Sequence, residues 1–93
     1  MKGVRRSRLE IALDLLSYYR EELSESQIML RAGVSYENLN SITDAMFHAG
    51  LVSKEIDTEH GGKPRIIYSP TAKGYKALMQ YERLLRLMPK KLD

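Results

Sequence analysis

The stretch that decides the fold is residues 24–52, SESQIMLRAGVSYENLNSITDAMFHAGLV. Ser24 and Gln27 form a capping box, in which each side chain satisfies a backbone N–H at the start of a helix. This short helix is predicted to end at Gly33, because glycine adopts the left-handed conformation that terminates helices. Ser35 then caps a longer helix. The stretch therefore predicts a helix-turn-helix.

A first helix is predicted upstream of this stretch. It begins at Ser7, which forms another capping box with Glu10. Its apolar residues follow helical spacing along two stripes, a core stripe of Leu9, Ala12, Leu13, Leu16 and Tyr19 and a second stripe of Ile11, Leu15 and Tyr18. Because a helix that is apolar on two sides is usually buried on two sides, we expect another subunit to cover the second stripe.

A β-hairpin is predicted after the longer helix. Its two runs, 51–58 and 66–69, lack helical periodicity and flank the pair Gly61-Gly62, which suits a tight turn. Pro70 ends the second run, since proline has no backbone N–H to donate to a sheet.

The tip of this hairpin, 57-DTEHGGKPR-65, has the side chains that most resemble an active site. A phosphate-binding glycine loop is excluded, because such a loop opens a helix, whereas a proline and a strand follow here. His48 and His60 are the only histidines, and neither has an evident partner to orient it as a base. We therefore expect no enzyme activity, no cofactor and no metal site, and we interpret Asp57, Glu59 and His60 as bystanders.

A final helix is predicted to begin after Thr71 and to extend to Met88, where Pro89 limits it. Its apolar residues are spaced as the seam of a helix–helix interface, which Leu84 and Leu87 widen. We expect a homodimer in which this helix packs against the second stripe of the first helix. The predicted dimer interface comprises Ile11, Leu15, Tyr18, Leu78, Tyr81, Leu85 and Met88.

The order of elements is helix, helix, helix, strand, strand, helix, with Leu23 placed to add a short edge strand. This order resembles the winged helix-turn-helix superfamily. Residues 24–52 resemble the helix-turn-helix of small dimeric archaeal winged-helix DNA-binding proteins and transcriptional regulators. The segment 68-YSPTAKGYKAL-78 is similar to the step after the wing in that superfamily, where Thr-x-Lys-Gly, here Thr71 to Gly74, starts the last helix.

The resemblance implies an α+β, mostly helical fold with a three-helix core, a β-hairpin wing and a C-terminal helix for dimerisation. We expect one winged-helix domain over residues 1–93. Its predicted parts are a basic arm (1–6), the helix-turn-helix (24–50), the wing hairpin (51–69) and the C-terminal dimerisation helix (71–88).

The charges of the chain are unevenly distributed around a net charge of +3. Residues 1–8 contain four cations and no acid, and residues 63–91 contain eight cations and one acid, whereas residues 10–25 contain five acids and one cation. Two basic ends around an acidic segment favour a polyanion as partner.

The absence of cysteine excludes disulfides and thiolate chemistry. No apolar run approaches a membrane span or a signal peptide, so we expect a cytoplasmic protein with no membrane partner.

The resemblance also implies how the chain binds double-stranded DNA. The third helix enters the major groove, and the basic wing contacts the backbone or the minor groove. Asparagine pairs with adenine edges, and hydroxyls suit phosphates or base edges. The predicted DNA-binding residues are Arg5, Arg6, Arg31, Ser35, Tyr36, Asn38, Asn40, Ser41, Thr43, Lys63 and Arg65.

Two alternatives stay open. The third helix contains Glu37 and Asp44 and no lysine or arginine, which favours a winged-helix protein–protein interaction module without direct DNA binding. The other alternative is a small-ligand sensor with a dimer pocket lined by Tyr18, Tyr19, Tyr75 and Tyr81. It is the less favoured one, because aromatic residues at helical spacing usually belong to the core.

Overall fold

The computed structural model describes residues 7–58 and 62–89. Its elements are α1 (Arg8–Arg20), α2 (Glu25–Ala32), α3 (Tyr36–His48), β1 (Val52–Asp57), β2 (Arg65–Pro70) and α4 (Ala72–Leu87). The strands pair antiparallel, from Val52 opposite Pro70 to Asp57 opposite Arg65. This arrangement confirms the predicted α+β fold, the helix-turn-helix and the hairpin.

Each helix begins where its cap was predicted. The side chains of Ser7, Ser24, Ser35 and Thr71 each accept a hydrogen bond from the backbone N–H three residues later. Ser7 and Ser24 form complete capping boxes. Each cap contributes about 1 kcal/mol to the stability of its helix. Gly33 has a φ of 67°, which confirms that it ends α2 in the left-handed conformation.

The core lies where α1 packs on α2, α3, β2 and α4. Its buried residues are Leu15, Leu16, Tyr19, Ile28, Ala32, Leu39, Ile42, Met46, Val52 and Leu78.

The buried face of α1 corrects the prediction of two separate stripes. Leu15, Leu16 and Tyr19 are its buried residues, so the face is centred between the two stripes. Leu15 has no exposed surface, and its assignment to a dimer interface is therefore wrong. Leu9, which we expected in the core, lies at the edge of this face and is 68% exposed. The side chains of α1 are therefore buried along one broad face, which the chain's own α2, α3, β2 and α4 cover, and not along two separate sides.

The predicted edge strand at Leu23 does not form within residues 7–58 and 62–89, where the sheet has two strands. The backbone N–H of Leu23 donates to the carbonyl of Tyr18 at the end of α1, so it is not available to a strand. Glu22 adopts a positive φ of 60°, which turns the chain toward α2. The half-buried Leu23 side chain packs on the core instead.

The Thr-x-Lys-Gly step joins α4 to the end of α3. The Thr71 hydroxyl donates to the carbonyl of Gly50 at 2.6 Å, and the Lys73 ammonium donates to the carbonyl of Ala49 at 2.7 Å. Gly74 is buried, and a Cβ at this position would overlap the carbonyl oxygen of Leu51. The step therefore satisfies carbonyls at the C-terminal end of α3 and allows α4 to approach the backbone closely.

Candidate nucleic-acid interface

The exposed side of α3 carries polar side chains from its first residue, Tyr36, to its last, His48. Leu39, Ile42, Thr43 and Met46 form the buried face, which leaves the opposite side to solvent. The exposed polar side chains of α3 are Tyr36, Glu37, Asn38, Asn40, Ser41, Asp44 and His48. Four of the predicted DNA-binding residues, Tyr36, Asn38, Asn40 and Ser41, therefore lie on an accessible surface. Ser35 is also exposed, but its hydroxyl caps α3 by accepting from the N–H of Asn38.

Thr43 does not belong to this surface, and its predicted DNA contact is wrong. The side chain lies one turn beyond Leu39 on the buried face and is 1% exposed. Its hydroxyl forms a hydrogen bond with the hydroxyl of Tyr19, with 2.7 Å between the oxygens. Burial raises the pKa of Tyr19 to about 12. Tyr19 is therefore a core residue, as expected for an aromatic side chain at helical spacing.

The exposed face of α3 and the strand β2 line one groove, which we call the α3–β2 groove. It is lined by Tyr36, Glu37, Asn40, Ser41, Asp44 and Tyr68. Tyr68 is half-buried, and its pKa is raised by burial and, to a lesser extent, by the charge of Asp44. The groove thus combines hydroxyl, amide and aromatic groups with two carboxylates.

The end of the hairpin carries two exposed cations, Lys63 and Arg65. The Nε of Arg65 lies 3.5 Å from Oδ2 of Asp57, directly across the β1–β2 ladder. The Arg65 side chain is 64% exposed and that of Asp57 is 12% exposed, so the pair leaves the guanidinium accessible. Asp57, which we interpreted as a bystander, therefore holds Arg65 on the hairpin. Gly62 has a φ of 74°, as expected for a turn, whereas Glu59, His60 and Gly61 lie outside the described residues.

Other predicted cations differ in their surroundings. Arg31 is exposed on the last turn of α2, and its Nη1 lies 3.8 Å from Oε1 of Glu21. Arg5 and Arg6, in the predicted basic arm, lie outside the described residues.

Two cations that we did not assign to the site also lie near α3. Lys54 Nζ is 4.3 Å from the ring centroid of Phe47, and Arg8 donates to Ser41.

No local signal indicated the position of Arg8. Its Nη2 donates to Oγ of Ser41 at 3.1 Å, although 33 residues separate the two along the chain. Arg8 belongs to the N-terminal group of cations, and sequence patterning does not show which helix such a side chain reaches. The contact depends on the packing of α1 on α3.

The predicted dimer residues also separate into two groups. Ile11, Tyr18 and Tyr81 are half-buried against the chain's own core, and Leu78 is 1% exposed. The assignment of Leu78 to the dimer interface is wrong, because its side chain is enclosed within the domain. The exposed apolar residues at the end of α4, which we call the apolar end of α4, are Leu84, Leu85, Leu87 and Met88.

In residues 7–58 and 62–89, no group of three or more His, Asp or Glu side chains is arranged to hold a metal ion. His48 lies 3.5 Å from Asp44 one turn earlier, and both side chains are exposed. No helix in the same ranges is long and apolar enough to cross a membrane.

Comparisons with known proteins identify the family to which this fold is similar. A family model described as winged helix-turn-helix matches residues 5–89. The match covers all six elements from α1 to α4. Searches of curated proteins and of solved structures found no significant match.

Proposed function

Because the chain belongs to the winged helix-turn-helix family, we propose that it is a double-stranded-DNA-binding protein that acts as a dimeric transcriptional regulator. In this proposal α3 enters the major groove, and the hairpin serves as a wing on the backbone or in the minor groove. The mechanism is binding, and no catalytic step belongs to it.

The α3–β2 groove is the observation that supports this function best. The groove brings the exposed side of α3 next to β2, and the same hairpin presents the exposed cations Lys63 and Arg65. A helix beside a cationic hairpin matches the two parts of a DNA site, base edges in one groove and phosphates beside it. Asn40 in the groove, and the exposed Asn38 two residues earlier on α3, have amides that can pair with adenine.

The distribution of charge supports a binding mode in which most of the DNA affinity comes from outside α3. Glu37 and Asp44 are exposed on α3 and repel phosphates, although Glu37 in the first turn also favours the helix dipole. The exposed cations Arg31, Lys63 and Arg65 lie on α2 and the hairpin. We therefore expect phosphate neutralisation from outside α3 to supply most of the affinity, with modest sequence specificity from α3.

Dimerisation through the apolar end of α4 is part of the proposal. Leu84, Leu85, Leu87 and Met88 are exposed on the last turn of α4 and its C-cap, and contiguous exposed apolar surface marks an interaction site. A second copy has the same apolar end, so a two-fold arrangement buries both. Such a dimer presents two α3 helices to successive turns of one DNA duplex.

The proposed function is tested by titrating duplex DNA at several salt concentrations. The logarithm of the affinity is expected to fall linearly with the logarithm of the salt concentration, by about 0.9 per phosphate neutralised. The double variant Lys63→Ala/Arg65→Ala is expected to lose about 0.9 of this slope for each cation removed. Lys76→Ala/Arg83→Ala removes the same charge from exposed positions of α4 and serves as the matched control.

If the wing variant and the α4 control lose the same amount of slope, the hairpin has no particular role in DNA binding. If the protein fails to bind DNA even at low salt, the proposed function is wrong.

In that case the second candidate, a protein–protein interaction module, is favoured. The observation behind it is the pair of exposed carboxylates, Glu37 and Asp44, on α3. A basic protein surface complements these acids, whereas DNA does not.

A further inference from the structure

Arg8 is a cation that the packing of α1 brings into hydrogen-bonding contact with α3. It is the first residue of α1, and it is exposed. Its guanidinium reaches across to α3, where Nη2 donates to Oγ of Ser41 at 3.1 Å. Ser41 is itself exposed and lines the α3–β2 groove. α3 contains no lysine and no arginine of its own.

We propose that Arg8 is a DNA-contacting residue and that Ser41 orients it. This inference rests on the proposed DNA-binding function and identifies a residue of the same site. Arg8 and Ser41 together then form a composite contact point that neither α1 nor α3 provides alone.

The chemistry of the guanidinium supports this role. Arginine has five N–H donors in a planar fork, which suits phosphate oxygens and the edge of guanine. Within the described part of the chain, Arg8 makes one side-chain hydrogen bond, to Ser41, and no ion pair with a carboxylate. Donors therefore remain available for a ligand. An anchored fork also loses less conformational entropy on binding than a free side chain.

The charge of Arg8 also bears on the two exposed acids of α3, Glu37 and Asp44, which repel the phosphates of DNA. Ser41 lies one turn after Glu37 and one turn before Asp44, so its contact with Arg8 brings a positive charge to the side of α3 that carries these acids, without an ion pair to either of them. A positive charge at this position offsets their repulsion of phosphates. The exposed face of α3 is therefore less acidic than its sequence alone indicates.

The test compares the DNA affinity of the full-length protein and its variants over a series of salt concentrations. Arg8→Ala is expected to weaken binding about 10-fold and to reduce the salt slope by about 0.9. Arg8→Lys is expected to keep the slope but lose affinity, because an ammonium keeps the charge without the planar fork. Ser41→Ala is expected to weaken binding less than Arg8→Ala, with the slope unchanged.

The control is Arg20→Ala, which removes an arginine from the opposite end of the same helix. Arg20 pairs with Glu82 on α4, with Nη2 and Oε2 3.0 Å apart. Its removal is expected to leave the affinity within about 2-fold of wild type. Because Arg8 and Ser41 are exposed, the melting temperatures of their variants are expected to stay within about 3 °C of wild type.

The outcomes separate the two proposals. If Arg8→Ala binds with wild-type affinity and slope while Lys63→Ala/Arg65→Ala binds more weakly, the role of Arg8 is wrong and the DNA-binding function stands. If Ser41→Ala weakens binding as much in the Arg8→Ala background as in wild type, so that the two losses add, Ser41 does not act by orienting Arg8. If the wild-type protein does not bind DNA at low salt, both proposals are wrong.

Discussion

The two halves of α4 carry one apolar stripe but lie in different surroundings. Leu78 is 1% exposed and belongs to the core. Leu85 lies seven residues later on the same side of the helix, yet it is 56% exposed. The first half is covered because α1, β2 and the end of α3 pack around it. Helical spacing therefore shows which side chains share a face, whereas the extent of the neighbouring elements decides which of them are covered.

The largest expected effect is that of Leu78→Ala in the covered half. Removing a fully buried leucine leaves a cavity, and we expect the free energy of unfolding to fall by about 3 kcal/mol. Urea denaturation at one fixed chain concentration measures this loss. The matched control is Met79→Ala, which changes the next residue, an exposed one, and is expected to cost less than about 0.5 kcal/mol. Equal losses for the two variants would contradict the burial of Leu78.

Gly74→Ala is expected to lower the free energy of unfolding by about 2 kcal/mol. The added methyl group would meet the Leu51 carbonyl and a methyl of Leu16, so α4 must move away from the core. Gly62→Ala at the wing is a useful comparison, because a Cβ there meets nothing within 4 Å and only its positive φ of 74° is strained. If Gly74→Ala is as stable as wild type, the close approach of α4 to the Leu51 carbonyl does not contribute to the stability of the domain.

Leu85→Glu tests the uncovered half. We expect this variant to sediment as a monomer while wild type sediments as a dimer, because a charge at the apolar end of α4 opposes its burial against a second copy. The far-ultraviolet circular dichroism of the variant is expected to match that of wild type, since Leu85 is exposed within the domain. An unchanged sedimentation mass for Leu85→Glu would exclude this end of α4 as the interface.

The smallest expected effect concerns the boundary between the halves, where Arg20 of α1 pairs with Glu82. Both side chains are more than one-third exposed, and exposed ion pairs contribute little. Glu82→Gln is therefore expected to lower the free energy of unfolding by no more than about 0.5 kcal/mol. A loss comparable to that of Leu78→Ala would mean that this pair, rather than apolar burial, positions α4.

Much of the fold was predictable because its signals act over a few residues. Ser24 with Gln27, Gly33 and Ser35 set the bounds of α2 and the start of α3 through hydrogen bonds three residues apart and one left-handed glycine. Thr71 likewise set the start of α4. Backbone geometry of this kind depends little on the rest of the chain.

The candidate site was less predictable, because exposure depends on distant neighbours. Thr43 has the polar side chain of a contact residue, but it is buried by Tyr19, 24 residues earlier. Arg65 was predicted as a wing cation and is exposed, although the acid that holds it was interpreted as a bystander. Polarity indicates which residues tolerate solvent, and packing determines which of them reach it.

Local hydrogen bonding and apolar spacing in the chain were thus sufficient to predict four capped helices, a hairpin and their order. Packing between segments that are distant in the sequence determined which side chains are buried and which residues they contact. It places Leu15 and Leu78 in the core, Leu9 at the edge of the core, and Arg8 beside Ser41 on α3. The physical reason is the range of the interactions. Caps and turns form among residues a few positions apart, whereas burial and the placement of long side chains require elements that meet only when the chain is folded.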